Sequence, residues 1–250
     1  MRVFSCLLKK ELRSYFYSPI AYISLFIFWL LSGMNFYWVL LQLSEGERAI
    51  SIIQLLFCGP LIIFSLPVIV PLITMKLFSE ETKTGTIELL YTSPINPFSI
   101  IFSKFLSSLV VYFFLWIPLI IQIFVLDLFY KNNGVDVFNL GLLLSSFIGI
   151  FFIGIFYISV GLFFSALFDN QITASIFSFG LLFGGLLIFM FLGINTENMK
   201  IREIGKFLST FDHLYNFSRG VIDSRVLILY FSHCIWFLYN SLNILEWKRC

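Results

Sequence analysis

Between Val137 and Thr196 the chain carries a single charged side chain, Asp169. A helix crosses the ~30 Å hydrocarbon core of a bilayer with about 20 apolar residues, so an uncharged stretch this long must fold back on itself. Asp169, Asn170 and Gln171 supply the polar tip of that hairpin. The same rule applied along all 250 residues gives six crossings. They run approximately from Pro19 to Leu41, Ser51 to Met75, Phe105 to Leu126, Phe138 to Phe168, Ile172 to Ile194, and Val226 to Leu245. Charged residues make up only 12% of the chain, about half the share that a water-facing domain needs. The expected fold is therefore all-α: one polytopic membrane domain over residues 1–250 with no internal repeat.

Lys and Arg are retained on the cytoplasmic side of a membrane. Arg2, Lys9, Lys10 and Arg13 precede the first crossing and Arg48 alone follows it, which puts the N-terminus inside. An even number of crossings returns the C-terminal Lys248 and Arg249 to the same side. The segment from Asn195 to Arg225 then lies outside, although it holds Lys200, Arg202, Lys206, Arg219 and Arg225. The first apolar run is too long for a signal-peptide core and no small-residue cleavage site follows it, so it is expected to remain as a membrane helix.

Several function classes are disfavoured. The net charge of +2 and the dispersed cations make no nucleic-acid groove. The four cysteines lie far apart without ligand-like histidine spacing, so no metal or disulfide framework is expected. No phosphate-cradling G-x-x-x-x-G-K-[ST] occurs. An intramembrane enzyme needs several ionisable groups at bilayer depth, whereas His233 stands alone there as an expected packing residue. No catalytic residue and no cofactor is expected. Pro60, Pro67 and Pro71 make the second crossing irregular, and Gly180 with Gly184, and Ser145 with Gly149, give small-xxx-small spacings suited to close helix approach.

Three segments are not simple crossings. Residues 1–18 project Phe4, Leu7, Leu8, Leu12, Tyr15 and Phe16 on one side and their cations on the other, the pattern of an interfacial helix. Glu11 falls inside the apolar arc, where it either meets a cation or backbone donors from another segment or frays out to water. Residues 76–98 read KLFSEETKTGTIELLYTSPINPF. Glu80 and Glu81 end a helix where its dipole disfavours acids, Gly85 permits a sharp break, and Thr86 to Thr92 can form a short helix carrying Glu88. Spacing alone admits both a docking helix and a solvated hairpin. In residues 195–225, Ile201, Ile204, Leu208, Phe211, Leu214 and Tyr215 suggest two short amphipathic helices, the second capped by Asp212 and ending at Gly220.

The motifs KELRSYFYSPIAYI (Lys10 to Ile23), PLITMKLFSEETKTGTIELLYTSPI (Pro71 to Ile95), NQITA (Asn170 to Ala174) and HLYNFSRGVIDSR (His213 to Arg225) resemble the membrane subunit of ABC-2 type exporters. They look most like the gliding-motility-associated permease subgroup. The resemblance implies a non-catalytic subunit of the bacterial inner membrane with both termini cytoplasmic. Such a subunit pairs with a second permease, the same or different, and with separate cytoplasmic ATPase subunits. It further implies that Glu80, Glu81, Gly85, Thr86 and Glu88 belong to the ATPase-coupling region and Glu11 to the helix beside it. Val226 follows Arg225 where the subgroup often has an acid. The competing reading is a non-transporting membrane scaffold that anchors cytoplasmic or envelope proteins.

Overall fold

A computed structural model of the chain describes residues 2–44, 52–88, 95–130 and 139–249, and these form helices joined by short turns, without strands. The helices are α1 (Arg2–Tyr17), α2 (Pro19–Ser44), α3 (Ile52–Phe57), α4 (Pro60–Thr74), α5 (Lys76–Lys83) and α6 (Pro97–Leu115). They continue with α7 (Ile117–Tyr130), α8 (Leu140–Leu167), α9 (Gln171–Asn195), α10 (Met199–Leu208), α11 (Thr210–Ser218) and α12 (Ser224–Arg249). Short polar side chains start many of them. Asn96, Asn139, Asn170 and Asn198 each accept a hydrogen bond from a backbone N–H in the first turn of the following helix, satisfying a donor that the helix leaves free.

Helix α8 is the centre of the bundle and touches α4, α5, α6, α9, α11 and α12. Its sequence permits this because glycines on its buried faces let large groups in. The Tyr112 ring occupies the space a side chain would need at Gly154, and Thr74 does the same at Gly161. Ser145 and Gly149 also form a small-residue contact, but with α11: Ser145 donates to the Phe217 carbonyl at 2.6 Å, and a Cβ at Gly149 would lie 2.7 Å from the Phe217 ring. Gly180 and Gly184 meet nothing within 4 Å and line a cavity of about 500 Å³ shared with Leu229 and His233 of α12. Their spacing serves no close helix contact among the described residues. His233 is exposed, and its Nδ1 lies 2.7 Å from the Leu229 carbonyl.

The second crossing is interrupted twice. One break lies at Cys58 and Gly59 before Pro60, the other at Met75; Pro67 and Pro71 sit within the continuous α4. The Met75 break does not leave its backbone unsatisfied, because Ser165 of α8 reaches across to it. Its hydroxyl accepts from Phe78 N–H at 3.0 Å and donates to the Met75 carbonyl at 3.0 Å. The third crossing starts at Pro97, earlier than the expected Phe105, because Lys104 is folded into the helix. Pro118 follows a break in it, at Trp116.

Among the described residues five segments are long and apolar enough to cross a membrane: Pro19–Ser44, Ile52–Lys83, Pro97–Phe129, Leu140–Leu167 and Gln171–Asn195. The expected sixth, α12, is as long as α2 but is interrupted by Ser232, His233, Asn240, Ser241 and Asn243. It runs along α8 from the Tyr230–Phe156 ring contact, through Phe237–Phe163, to an ion pair between Lys248 and Asp169 at 2.8 Å. The hairpin tip at Asp169 and Asn170 is where the uncharged stretch required it.

At the end of α8 opposite Asp169, α10 and α11 form the two short helices expected of residues 195–225. The α11 cap is Ser209, which accepts from Asp212 N–H at 3.3 Å, and not Asp212 as expected from sequence. Asp212 instead sits in the first turn, where its charge suits the helix dipole. The chain leaves α11 through Gly220 at φ +83.

Candidate functional site

The acidic corner after the second crossing is built by α5. Its end is closed by hydroxyls and by one residue that needs positive φ. Thr84 N–H donates to the Glu80 carbonyl at 3.0 Å and Gly85 N–H to the Thr82 carbonyl at 3.2 Å, with Gly85 at φ +72. This is the left-handed conformation in which a Cβ is strained. The Thr84 hydroxyl bonds the Glu80 carbonyl at 2.9 Å, and that of Thr86 the Glu81 carbonyl at 3.4 Å. Ile87 then turns back into the core and Glu88 is exposed. Of the expected helix from Thr86 to Thr92, Thr86 belongs to the turn, Ile87 and Glu88 are helical, and residues 89–92 lie outside the described residues.

Helix α1 packs against this corner through Leu7, Glu11 and Tyr15, which share one helical face and are buried. It follows α6 closely, with Phe4 against Phe102 and Phe16 against Phe114. The apolar arc read from sequence is thus partly covered by protein. Tyr15 donates to the Ile73 carbonyl at 3.0 Å, and the Lys76 ammonium lies 4.7 Å from the Tyr15 ring centroid.

Glu11 meets the cation that its buried position demanded, and the cation is Lys104 of α6, only 1% exposed. The Lys104 ammonium lies 3.2 Å from Glu11 Oε1 and 2.8 Å from Glu81 Oε2, and it donates to the Leu77 carbonyl. The approach to Glu81 is an ion contact and not an aligned hydrogen bond. Lys10 donates to the other Glu81 oxygen at 3.0 Å. Burial would lower the Lys10 ammonium, but its bond to Glu81 and the charges of Glu81 and Glu11 outweigh this and hold it above the ordinary lysine range. Two cations and two carboxylates therefore close a neutral cluster, the arrangement in which buried charge is tolerated.

Of the residues expected to act together, Glu11, Glu80, Glu81 and Thr86 line one cleft of about 250 Å³ between α1 and α5. Glu80 is exposed on its rim, Gly85 shapes the turn below it, and Glu88 lies just beyond. Sequence reading missed Lys104. A lysine beside an uncharged run reads as the boundary of a crossing, yet the serines around it, Ser103, Ser107 and Ser108, marked a polar, protein-facing surface.

One ammonium thus fastens three elements, α1, α5 and α6, at a point. Among the described residues no group of three or more His, Cys, Asp or Glu side chains could hold a metal. Comparison with curated proteins gives no match. Residues 34–212, more than half of the chain, match the family model described as ABC-2 family transporter protein, a stretch that contains α5 and the Gly85 turn. Members are typically non-catalytic membrane subunits, and an ABC ATPase partner is implied for the family in general. With five apolar helices able to cross a bilayer and an all-helical bundle around α8, the chain belongs to the ABC-2 family of transporters.

Proposed function

We propose that this chain is the six-span permease subunit of an ABC-2 exporter in the bacterial inner membrane, with α12 as the sixth crossing and both termini cytoplasmic. Movement of a separate ATPase subunit is received at the corner of Glu80, Glu81, Gly85, Thr86 and Glu88. Glu11 and Lys104 carry it into α1 and α6, tilting the crossings of this subunit against those of a second permease subunit. Motility is the role implied by the subgroup resemblance.

The observation that carries this reading is the buried Lys104, which holds Glu11 of α1 and Glu81 of α5 at 3.2 and 2.8 Å. Breaking one member of such a cluster strands the others in a low-dielectric site, so displacing α5 alone is costly and the three elements move together. The placement of Asp169, Lys248, α5 and α1 at one end of the bundle supports a shared cytoplasmic face.

Purification of the tagged chain from native membranes tests the proposal. The expected result is co-purification of a P-loop ATPase whose ATP hydrolysis is stimulated by a transported substrate. A stable partner without a nucleotide site would replace this reading with the membrane scaffold.

A further inference from the structure

The cations of α1 are divided between two faces. Lys10 turns to Glu81, whereas Lys9 and Arg13 are exposed and have no ion-pair partner among the described residues. Lys9 and Arg13 stand one helical turn apart, and like charges in that relation repel. Of the acids beside α1, Glu11 is engaged with Lys104 and Glu81 with Lys104 and Lys10, while Glu80 sits on the rim of the other cleft with Lys76 and Tyr15. Exposed Ser14 and Tyr17 complete a shallow hollow with these cations.

The surface changes character beyond this hollow. Arg13 is followed by the exposed rings of Phe16, Tyr17 (79% exposed) and Tyr22, and then by Ile23 and Phe26 (66% exposed) on α2. Cations, then aromatic rings, then bare apolar surface is the order in which a cytoplasmic leaflet presents anionic headgroups, the interfacial zone and acyl chains.

We propose that Lys9 and Arg13 form a binding site for the headgroup phosphate of an anionic phospholipid in the cytoplasmic leaflet. Arg13 offers a planar two-donor fork, Lys9 a point charge, and the Ser14 and Tyr17 hydroxyls further donors. The bound phosphate offsets the repulsion between the two cations and fixes the depth of α1 beside the corner. The site rests on the cytoplasmic placement of α1 proposed above, but not on the capture of an ATPase.

Retention of added lipid by the purified full chain, read by native mass spectrometry, tests it. The probes are dioleoyl phosphatidylglycerol, dioleoyl phosphatidylcholine and inorganic phosphate. The wild type should retain phosphatidylglycerol over phosphatidylcholine. The pair Lys9→Gln with Arg13→Gln should retain roughly 30-fold less, the effect of two cations at an anionic surface. Lys9→Arg with Arg13→Lys should stay near wild type, and Lys200→Gln with Arg202→Gln, at exposed cations of α10, should change little. If the double glutamine variant does not fold, Lys9→Gln alone should lose roughly fivefold.

Equal retention of the two headgroups, full retention by the glutamine variants, or an equal loss in the α10 control overturns the site. Complete displacement of lipid by an equal concentration of inorganic phosphate would reassign it as a free-anion site. Headgroup selectivity without any captured ATPase would keep the lipid site and reject the coupling role.

Discussion

At the Asp169 end of the bundle, α1, α5 and α6 are joined by ions: Lys104 and Lys10 against Glu11 and Glu81. At the other end, neutral groups and close packing do the joining. Asn35 donates to the Leu56 carbonyl at 3.2 Å, Ser145 to the Phe217 carbonyl at 2.6 Å, and His213 Nδ1 lies 2.8 Å from the Tyr230 hydroxyl. An ion cluster concentrates its energy at one point and needs every member present. Packing and neutral hydrogen bonds spread it over many contacts of about 1 kcal/mol each. The first kind of joint suits a place where several elements must move as one, and the second suits a closed lid.

The sharpest break in this comparison comes from removing the central cation. Lys104→Met strands Glu11 and leaves Glu81 with Lys10 alone, and should cost about 3–5 kcal/mol, read as a fall in melting temperature of the detergent-solubilised chain. Replacing Lys104, Glu11 and Glu81 together by apolar residues should recover most of that loss. An undiminished melting temperature in the single variant would show that the cluster fastens nothing. At the opposite end shape should matter instead. Gly149→Val forces the Phe217 ring aside and should cost about 1–3 kcal/mol by the same assay, with no sensitivity to salt.

Gly85→Ala sharpens the comparison from the other direction. A Cβ there meets nothing within 4 Å, so the cost of about 1 kcal/mol is purely conformational. Its larger consequence should be a shift of the turn, measured as weaker co-purification of the ATPase at nearly wild-type melting temperature.

The smallest effect concerns His213, 3% exposed on α11. Its Nε2–H donates to the Phe207 carbonyl at 2.9 Å, leaving Nδ1 to accept from Tyr230. Burial lowers this imidazole below its usual range, against the pull of the Phe207 carbonyl, Asp212 and Asp223. The unfolded chain therefore binds the proton more readily. Stability from this group is complete above the unfolded value near 6.5 and is lost as pH falls from there toward the lowered native value. Melting temperature should drop between about pH 7.5 and about pH 5.5, with a flatter profile in His213→Gln.

The hairpin tip, the positive-φ turn at Gly85 and the demand of Glu11 for a partner were legible in the sequence, each for a local reason. A polar triplet interrupts an uncharged stretch, a glycine follows a helix end, and a carboxylate falls on an apolar arc. What escaped was the identity of partners distant in the chain. Lys104 is separated from Glu11 by 93 positions, and charge counting reads it as the start of water, not as a buried hub. Ser165 is one serine among many until the Met75 break is placed beside it. The polar interruptions of α12 did not prevent its detection as a helix, but they leave it less apolar than the other five segments.

A photo-crosslinking residue in place of the exposed Thr86, compared with one in place of the exposed Val221 just past α11 at the opposite end, probes most directly whether the ionic corner is where an ATPase pushes. In native membranes the Thr86 position should capture a P-loop ATPase and the Val221 position should not. Capture at neither position, or equally at both, would contradict a coupling role for the corner.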